Sequence, residues 1–429
     1  MPGRRILLVN YTYPPMPSVG ANRWAAMVKY LERLGHDVMV LTTSAFGTLE
    51  SDQASGVVRS PDLAARRWVR GVLRRPPLPE PGGPVVPDKP PPSILTRVLV
   101  PDAYLASWVP FAGRIARRMV GEGEIDCLIT SSPFESTHLL GLALRRRVAW
   151  LADFEDGWCF EPVRPPFPTG AQRALDRWLE RRVVEKADGV LAVTGEIASD
   201  FRRRFGVHAA HLPNGWDPDL EPEVAAASAP PLEPGCDTLV HTGKLSGVRD
   251  RDPAPLFSAI RLLLRDDPEL RNRLRLLLIG RLDVAEERLL AGLDLDGVVR
   301  STGHLPRPAA VALQRQADAL VLLTSPSRHV SEATGKLFEY LVAGRPILAL
   351  AEGNEAERMI RETGTGITVA PDDPAAIARA VRQAVDGELA RAYAPRGLDR
   401  YVFPAPAKVA EAEIERALSR IPKRGRRAT

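Results

Sequence analysis

Cysteine is scarce in this chain. Three occur in 429 residues, Cys127, Cys159 and Cys236, far apart and in no metal-ligand spacing. That argues against a disulfide framework and a zinc site, and for a reducing compartment. Long apolar runs are missing too. No stretch approaches the ~20 residues a membrane span needs. Behind the first arginines stands a short apolar run, Ile6 to Val9, too short for a signal-peptide core. The expected location is cytoplasmic, with at most peripheral contact at the inner face of a membrane. Large charge imbalance is absent as well, and a net charge of +5 does not call for nucleic acid. No G-x-G-x-x-G follows the first predicted strand, which disfavours a dinucleotide-binding oxidoreductase.

What is present is an α/β alternation, run through twice. Apolar content of 45% and charged content of 26% fit a soluble globular protein with two or three domains. Residues 5–10, RILLVN, read as a buried strand. A Pro/Gly-rich loop follows, then a helix starting near Asn22 and ending at Gly35, then the strand DVMVLTT. This is the opening unit of a doubly wound sheet, with its loop at the carboxyl end of the first strand, where such sheets bind ligands. Residues 60–107 break the rhythm with PPLPEPGGPVVPDKPPP, read as a surface insertion. Just before it, Trp68, Val69, Val72 and Leu73 stand among Arg66, Arg67, Arg70, Arg74 and Arg75. Two readings stand for that segment: an amphipathic helix on an anionic membrane, or a helix packed on its own domain.

Alternation resumes with 107–120 as a helix, DCLITS as a strand, STHLLGLALRRR as a helix and VAWLADFED as a strand running into a loop. A helix from about Ala171 to Lys186, the strand GVLAVT and the helix EIASDFRRRFG complete a first domain, 1–220. Residues 221–237 are small and Pro-rich and read as a linker. A second doubly wound domain, 238–400, follows, and then 401–429, a final helix from about Ala405 to Leu418 with the basic tail KRGRR.

The stretch SEATGKLFEYLVAGRPILAL, 331–350, reads as loop, helix, turn and buried strand. Thr334 and Gly335 start the helix and Gly344 ends it. A helix opening in Thr-Gly-Lys presents free backbone N–H groups and its positive dipole end, which suits a phosphate. One turn on, Glu339 offers a carboxylate suited to ribose hydroxyls. The competing reading is an ordinary exposed ion pair between Lys336 and Glu339, three residues apart.

These pieces together resemble glycosyltransferase family 4, the retaining nucleotide-sugar enzymes of the GT-B fold, an α/β architecture of two facing Rossmann-like doubly wound domains. The carriers are LLVNYTYPPMPSVGANRW, DCLITSSPFESTHLLG, LADFEDGW, LPNGWD, HTGKLSGVRDRDP, LLLIG, STGHLP and TGKLFEYLVAGRPIL, in that order. The resemblance implies an acceptor-binding first domain, a donor-binding second domain and a last helix that crosses back to the first. Its partners would be a nucleotide sugar and an acceptor sugar, lipid-linked glycan or small molecule. No cofactor is implied, and no metal is required, since no D-x-D stands at a strand end in the donor half.

The resemblance also implies roles for particular residues. Glu339 matches the second glutamate of the family's paired-glutamate motif, which holds the donor ribose. The first glutamate belongs at Ser331, where it is absent, and Glu332, one position late, is the donor-binding candidate to stand in for it. Lys244 after Gly243, and Arg251 with Arg249 in reserve, match the basic pair that meets the donor diphosphate, where cations stabilise developing charge. Arg249 and Arg251 also suit a plain exposed pairing with Asp250 and Asp252. His304 and Leu305 flank the base, and Thr334, Gly335 and Lys336 complete the phosphate turn. In the first domain Gly20 matches the glycine that approaches the donor phosphates. DFEDGW resembles the related DFRDPW, which makes Asp156 and Trp158 acceptor-side candidates, with a loop-capping Asp and a core Trp as the other reading. His138 is a weaker acceptor-side candidate, because a lone helical His is more often a packing residue. Besides transfer, two other functions fit: a GT-B sugar-nucleotide epimerase or hydrolase, and a non-catalytic nucleotide-sugar-binding partner subunit.

Overall fold

The computed structural model describes residues 3–16, 18–52, 55–63, 98–122, 125–246, 251–326 and 329–420. The Arg66–Arg75 segment, most of the Pro-rich insertion, Arg249 and the basic tail lie outside the described residues. The chain divides into two compact units, Met1–Asn214 with Pro404–Thr429, and Gly215–Phe403.

The first unit is built on a parallel sheet of seven strands: β1 (Arg5–Asn10), β2 (Asp37–Thr43), β3 (Val57–Ser60), β4 (Cys127–Ser131), β5 (Ala149–Phe154), β6 (Gly189–Ala192) and β7 (Ala209–His211). Their order is β3-β2-β1-β4-β5-β6-β7, so the winding reverses between β1 and β4. Leu7 stands between Met39 and Leu128 in register. Helices cover both faces, which explains why central strands such as CLITS and AWLADF are apolar without alternation. The first crossover helix, Val19–Arg33, begins three residues before the expected Asn22. Its cap is Ser18, whose Oγ accepts from the Ala21 N–H at 3.1 Å. That cap lies inside the Pro-rich loop, where apolar periodicity gives no signal. The expected helix over 107–120 is broken at buried Trp108 into Tyr104–Ser107 and Val109–Gly121, with Pro110 opening the second piece. Thr169 and Gln172 form a capping box on the helix Gly170–Lys186. The C-terminal helix Ala405–Arg420 packs on the helix Val19–Arg33 and on β5 and β6. Arg4 fixes it with two bonds to Glu415, at 2.6 and 2.7 Å.

The second unit repeats the plan with six strands: β8 (Asp237–Thr242), β9 (Leu274–Ile279), β10 (Val299–Gly303), β11 (Ala319–Leu323), β12 (Ile347–Leu350) and β13 (Gly366–Val369). The order is β10-β9-β8-β11-β12-β13, again all parallel. Alternate strand residues feed two cores. Leu239, Val321 and Leu348 join Phe257, Ile260 and Val381 on one side. Val240, Leu320 and Leu322 join Leu337, Leu341 and Ile360 on the other.

The stretch expected as a 221–237 linker differs. It opens with a helix, Glu221–Ala226, whose Val224 is buried with Trp216 and Val311. Arg315 binds Glu221 in bidentate fashion at 2.6 and 2.7 Å, so this segment is part of the second unit and not a tether. Small residues and prolines hid a short helix that is held by its neighbours rather than by propensity. No helix among the described residues is long and apolar enough to cross a membrane.

Candidate active site

In the second unit, the residues singled out from the sequence gather at the carboxyl end of β8. Gly243 leaves the strand with φ of +80°, in the left-handed region that favours glycine, and its N–H donates to the Ile279 carbonyl at 2.7 Å. Lys244 follows, exposed. The helix Gly335–Val342 starts beside this turn, with Thr334 as N-cap. Thr334 Oγ1 makes no capping bond and is buried without a hydrogen-bond partner. Lys336, in the first helical turn, reaches back to the strand. Its Nζ lies 3.1 Å from His241 Nε2 and 3.3 Å from the Lys244 carbonyl. Burial, then the nearby Arg251 guanidinium, push the Lys336 amine down to about 7.

Arg251 is nearly buried, and its Nε stands 3.8 Å from Glu332 Oε1. Glu332 is itself buried, with Oε2 accepting the Ser325 N–H at 2.8 Å. The alternative of an exposed arginine solvated beside its neighbouring aspartates is therefore not what Arg251 adopts. Glu339 lies a turn beyond Lys336 but takes other partners: Arg307 Nε at 2.7 Å and Gln314 Nε2 at 3.3 Å. The plain Lys336–Glu339 ion pair is replaced by these contacts. Gln314 also donates to Thr242 Oγ1 at 3.2 Å, and the Tyr340 hydroxyl accepts the Thr242 N–H at 2.8 Å. Glu339 is thus held by a network running back to the end of β8, with lone pairs left for a ligand. His304 is exposed after β10, whereas Leu305 packs partly into the core.

In the first unit, Gly20 sits in the first turn of the helix Val19–Arg33, pressed against Glu155. A Cβ there would come within 2.4 Å of Glu155 Oε2, so no larger residue fits without moving that carboxyl. Arg23, one turn on, is buried and bidentate to Asp153 at 2.7 and 2.9 Å, and Asp153 Oδ2 also accepts from Ser131 Oγ at 2.7 Å. Glu155 Oε1 stands 4.0 Å from Arg23 and has no hydrogen-bond partner. Burial raises the Glu155 carboxyl to about 8, against the lowering pull of Arg23 and with a further push from Asp153 and Asp156. Burial and Asp102 raise Glu135 to about 8 in the same way.

The acceptor-side candidates divide. Asp156 lies half-buried in the loop after β5. Trp158 is 1% exposed, with its indole N–H donating to Asp176 Oδ1 at 2.9 Å. His138 is buried between Thr130, 2.9 Å from its Nδ1, and the rings of Phe154 and Trp158. Burial drives His138 down to about 3, which keeps it neutral. Trp158 and His138 are core residues behind the loop and not part of its surface. Sequence reasoning missed His241, Arg307, Gln314, Arg23 and Glu155. For His241 a signal existed, a lone imidazole two residues before the Gly243 turn. Arg307 and Gln314 gave none, being helix residues far from the motif they support.

The two strand orders and the family models that match the chain define the class: this is a GT-B glycosyltransferase of the family 4 type. The chain belongs to the glycosyltransferases, matching the Glycosyl transferase 4-like domain over residues 20–215 and Glycosyl transferases group 1 over residues 241–386. No curated protein matches it in sequence. Among solved structures it is similar to sucrose-phosphate synthase from Thermosynechococcus elongatus, at 15% identity and TM-score 0.65 over 97% of this chain and 99% of that one. It is also similar to a glycosyltransferase from Rickettsia africae, at 15% identity and TM-score 0.55 over 97% and 94%. A putative UDP-N-acetylglucosamine 2-epimerase from Listeria monocytogenes aligns at 13% identity and TM-score 0.56 over 98% of each chain. At these identities the likeness to solved structures is one of fold.

Proposed function

We propose that the enzyme moves a sugar from a nucleoside diphosphate to an acceptor hydroxyl with retention of anomeric configuration. The acceptor belongs to an envelope polysaccharide, a lipid-linked precursor or a small natural product. The observation that carries this reading is the convergence of Lys244, Lys336 and Arg251 around the turn after β8, next to the held carboxylate of Glu339. Glu339 accepts the ribose hydroxyls with the lone pairs that Arg307 and Gln314 leave open. The cations meet the diphosphate as its bond to the anomeric carbon breaks and charge gathers on the leaving oxygen. The acceptor oxygen bonds to that carbon on the same face, and its proton passes to the leaving phosphate oxygen, so no separate protein base is needed. Because the protein's cations supply the charge, the transfer needs no divalent ion. Glu332, 3.8 Å from Arg251 Nε, holds that guanidinium on the donor side, where the displaced first glutamate would act.

The test is a panel of UDP-, GDP-, ADP- and TDP-sugars offered with and without membrane-lipid and oligosaccharide acceptors, reading nucleoside diphosphate release and the anomer formed. Acceptor-dependent release with retained configuration, insensitive to chelator, is expected. An inverted product overturns the retaining mechanism. Free sugar or a new sugar nucleotide without acceptor supports the epimerase or hydrolase reading, in keeping with the epimerase likeness. Binding without turnover supports the non-catalytic partner. The enzyme is proposed to work in the cytoplasm, with the Arg66–Arg75 segment touching anionic lipid. Salt-sensitive co-sedimentation with anionic liposomes, lost when the five arginines become glutamine, checks that contact.

A further inference from the structure

His241 is the penultimate residue of β8, fully buried, between two elements that the site needs in register. On one side its Nδ1 lies 2.9 Å from the Val321 carbonyl on β11, an acceptor, so Nδ1 carries the hydrogen. Nε2 faces two groups, the Lys244 carbonyl at 3.4 Å and Lys336 Nζ at 3.1 Å; with the hydrogen on Nδ1 for the shorter bond to Val321, Nε2 is left to accept from Lys336. Burial, followed by the Lys336 charge, drives the imidazole well below its ordinary range, so it stays neutral. Lys336 spends a second hydrogen on the Lys244 carbonyl, 3.3 Å away. A neutral amine has only two hydrogens, and both are used. A phosphate oxygen at this turn needs a third, which only the ammonium possesses.

We propose that His241 is a positioning residue that holds Lys336 over the Gly243–Lys244 turn, and that a nucleoside diphosphate binds there with uptake of one proton at Lys336 Nζ. The inference rests on the donor reading given above and adds a residue and a proton to it. The groups facing Lys336 are His241 on β8, Arg251 in the following loop, Glu332 before the helix and Glu339 one turn along it. Burial and Arg251 lower the proton affinity of Lys336, and Glu339 and Glu332 raise it. The lowered value, about 7, leaves much of the amine uncharged at neutral pH. A bound diphosphate favours the charged form, so affinity must fall as pH rises through and above that value. The ligand's own terminal phosphate, with a second ionisation near ~6, gains charge as pH rises and acts in the opposite sense. A falling limb above neutrality therefore belongs to the protein.

The experiment is calorimetric titration of the full chain with UDP, GDP, ADP and TDP, from pH 6.5 to 9, in buffers of different ionisation heat. Native protein is expected to take up close to one proton per diphosphate at pH 8. Its affinity should fall up to about tenfold per pH unit above pH 7. Lys336→Met should flatten that limb. His241→Phe, which keeps the ring but removes the acceptor, should weaken binding about tenfold, whereas His241→Gln, which returns an acceptor near Nε2, should bind close to native. Melting curves of the unliganded variants separate a folding defect from a binding defect. Binding without proton uptake, a falling limb that survives in Lys336→Met, or native affinity in His241→Phe overturns the inference and leaves the donor reading standing. Failure of every diphosphate to bind native protein at any pH overturns both.

Discussion

The carboxyl ends of the two sheets share a strand order and hold opposite chemistry. In the second unit the turn after β8 collects Lys244, Lys336 and Arg251 beside two carboxylates that are each tied to an arginine. In the first unit the strand ends collect carboxyl groups. Glu135 and Glu155 are raised to about 8 by burial, Asp102 is raised as well, and the Arg23 charge is locked against Asp153. Tyr11 adds an aromatic cluster there, its ring 4.4 Å from Tyr104 and 5.0 Å from Phe134. One fold thus presents an end lined with lysine and arginine and an end where burial pushes two carboxyls, Glu135 and Glu155, toward the neutral form. The first suits a diphosphate. The second suits hydroxyl groups, because a protonated carboxyl both donates and accepts. The lesson is that the winding only fixes where loops converge, while the side chains set into them decide what can bind.

The largest expected effect lies in the first unit. Arg23→Met removes the cation from a pair with side chains 1% and 0% exposed, and leaves Asp153 supported by Ser131 and Trp24. Breaking such a pair from one side costs about 3–5 kcal/mol. The melting temperature should fall by roughly 10 °C, and adding Asp153→Leu should restore most of it. A melting point within a degree of native would mean that the pair does not hold the sheet ends together.

In the second unit the corresponding loss is catalytic. Lys244→Ala and Arg251→Ala should each lower turnover about a hundredfold to a thousandfold, more than they weaken donor binding. Together they should cost less than the sum of the two, since both act on one charge. Steady-state kinetics decides this, and turnover within twofold of native would move the diphosphate elsewhere. The exposed Arg203, paired with Asp200, is the control and should change little as alanine. A smaller effect is expected at Glu339. Glu339→Gln removes a charge that accepts ribose hydroxyls, worth roughly 1.5–3 kcal/mol, so donor affinity should weaken about tenfold to a hundredfold. Unchanged affinity for nucleoside diphosphates would reduce Glu339 to a partner of Arg307.

The same contrast explains what could be read from residues alone. Strands such as RILLVN and ALVLL are buried on both faces, so their composition marks them, and glycines at the ends of helices mark the turns. β10, at the sheet edge, is half-exposed and carries no apolar run to mark its bounds. The helix Glu221–Ala226 escaped because Arg315, Trp216 and Val311, distant in sequence, hold it. At the site, local motifs gave Gly243, Lys244, Thr334 and Glu339. They did not give His241, Gln314 or Arg307, which make their contacts across 32 to 95 residues of chain. The pairing of Arg23 with Asp153 spans 130 residues and is likewise a tertiary fact.

The smallest effect is the most direct probe of the neutral carboxyls in the first unit. Glu155 has a folded-state value of about 8 against an ordinary 4.5, a shift upward. A group raised in this way contributes stability that is fully present below its unfolded value and is lost as pH rises through the folded one. At pH 9 the native protein therefore carries a Glu155 carboxylate facing Asp153 and Asp156, with Oε1 unpaired and Arg23 no nearer than 4.0 Å. Glu155→Gln carries no charge at any pH. It should melt close to native at pH 5 and a few degrees above native at pH 9, the gap opening between the ordinary value of 4.5 and the folded value of about 8 and staying level above it. Glu135 keeps its own raised value, so some alkaline loss of stability should remain in the variant. Thermal melts of both proteins across that range decide the matter. A gap of equal size at pH 5 and pH 9 would show that Glu155 is already ionised throughout. The first unit would then end in fixed negative charge, and its suitability for neutral hydroxyls would have to rest on the aromatic cluster around Tyr11 instead.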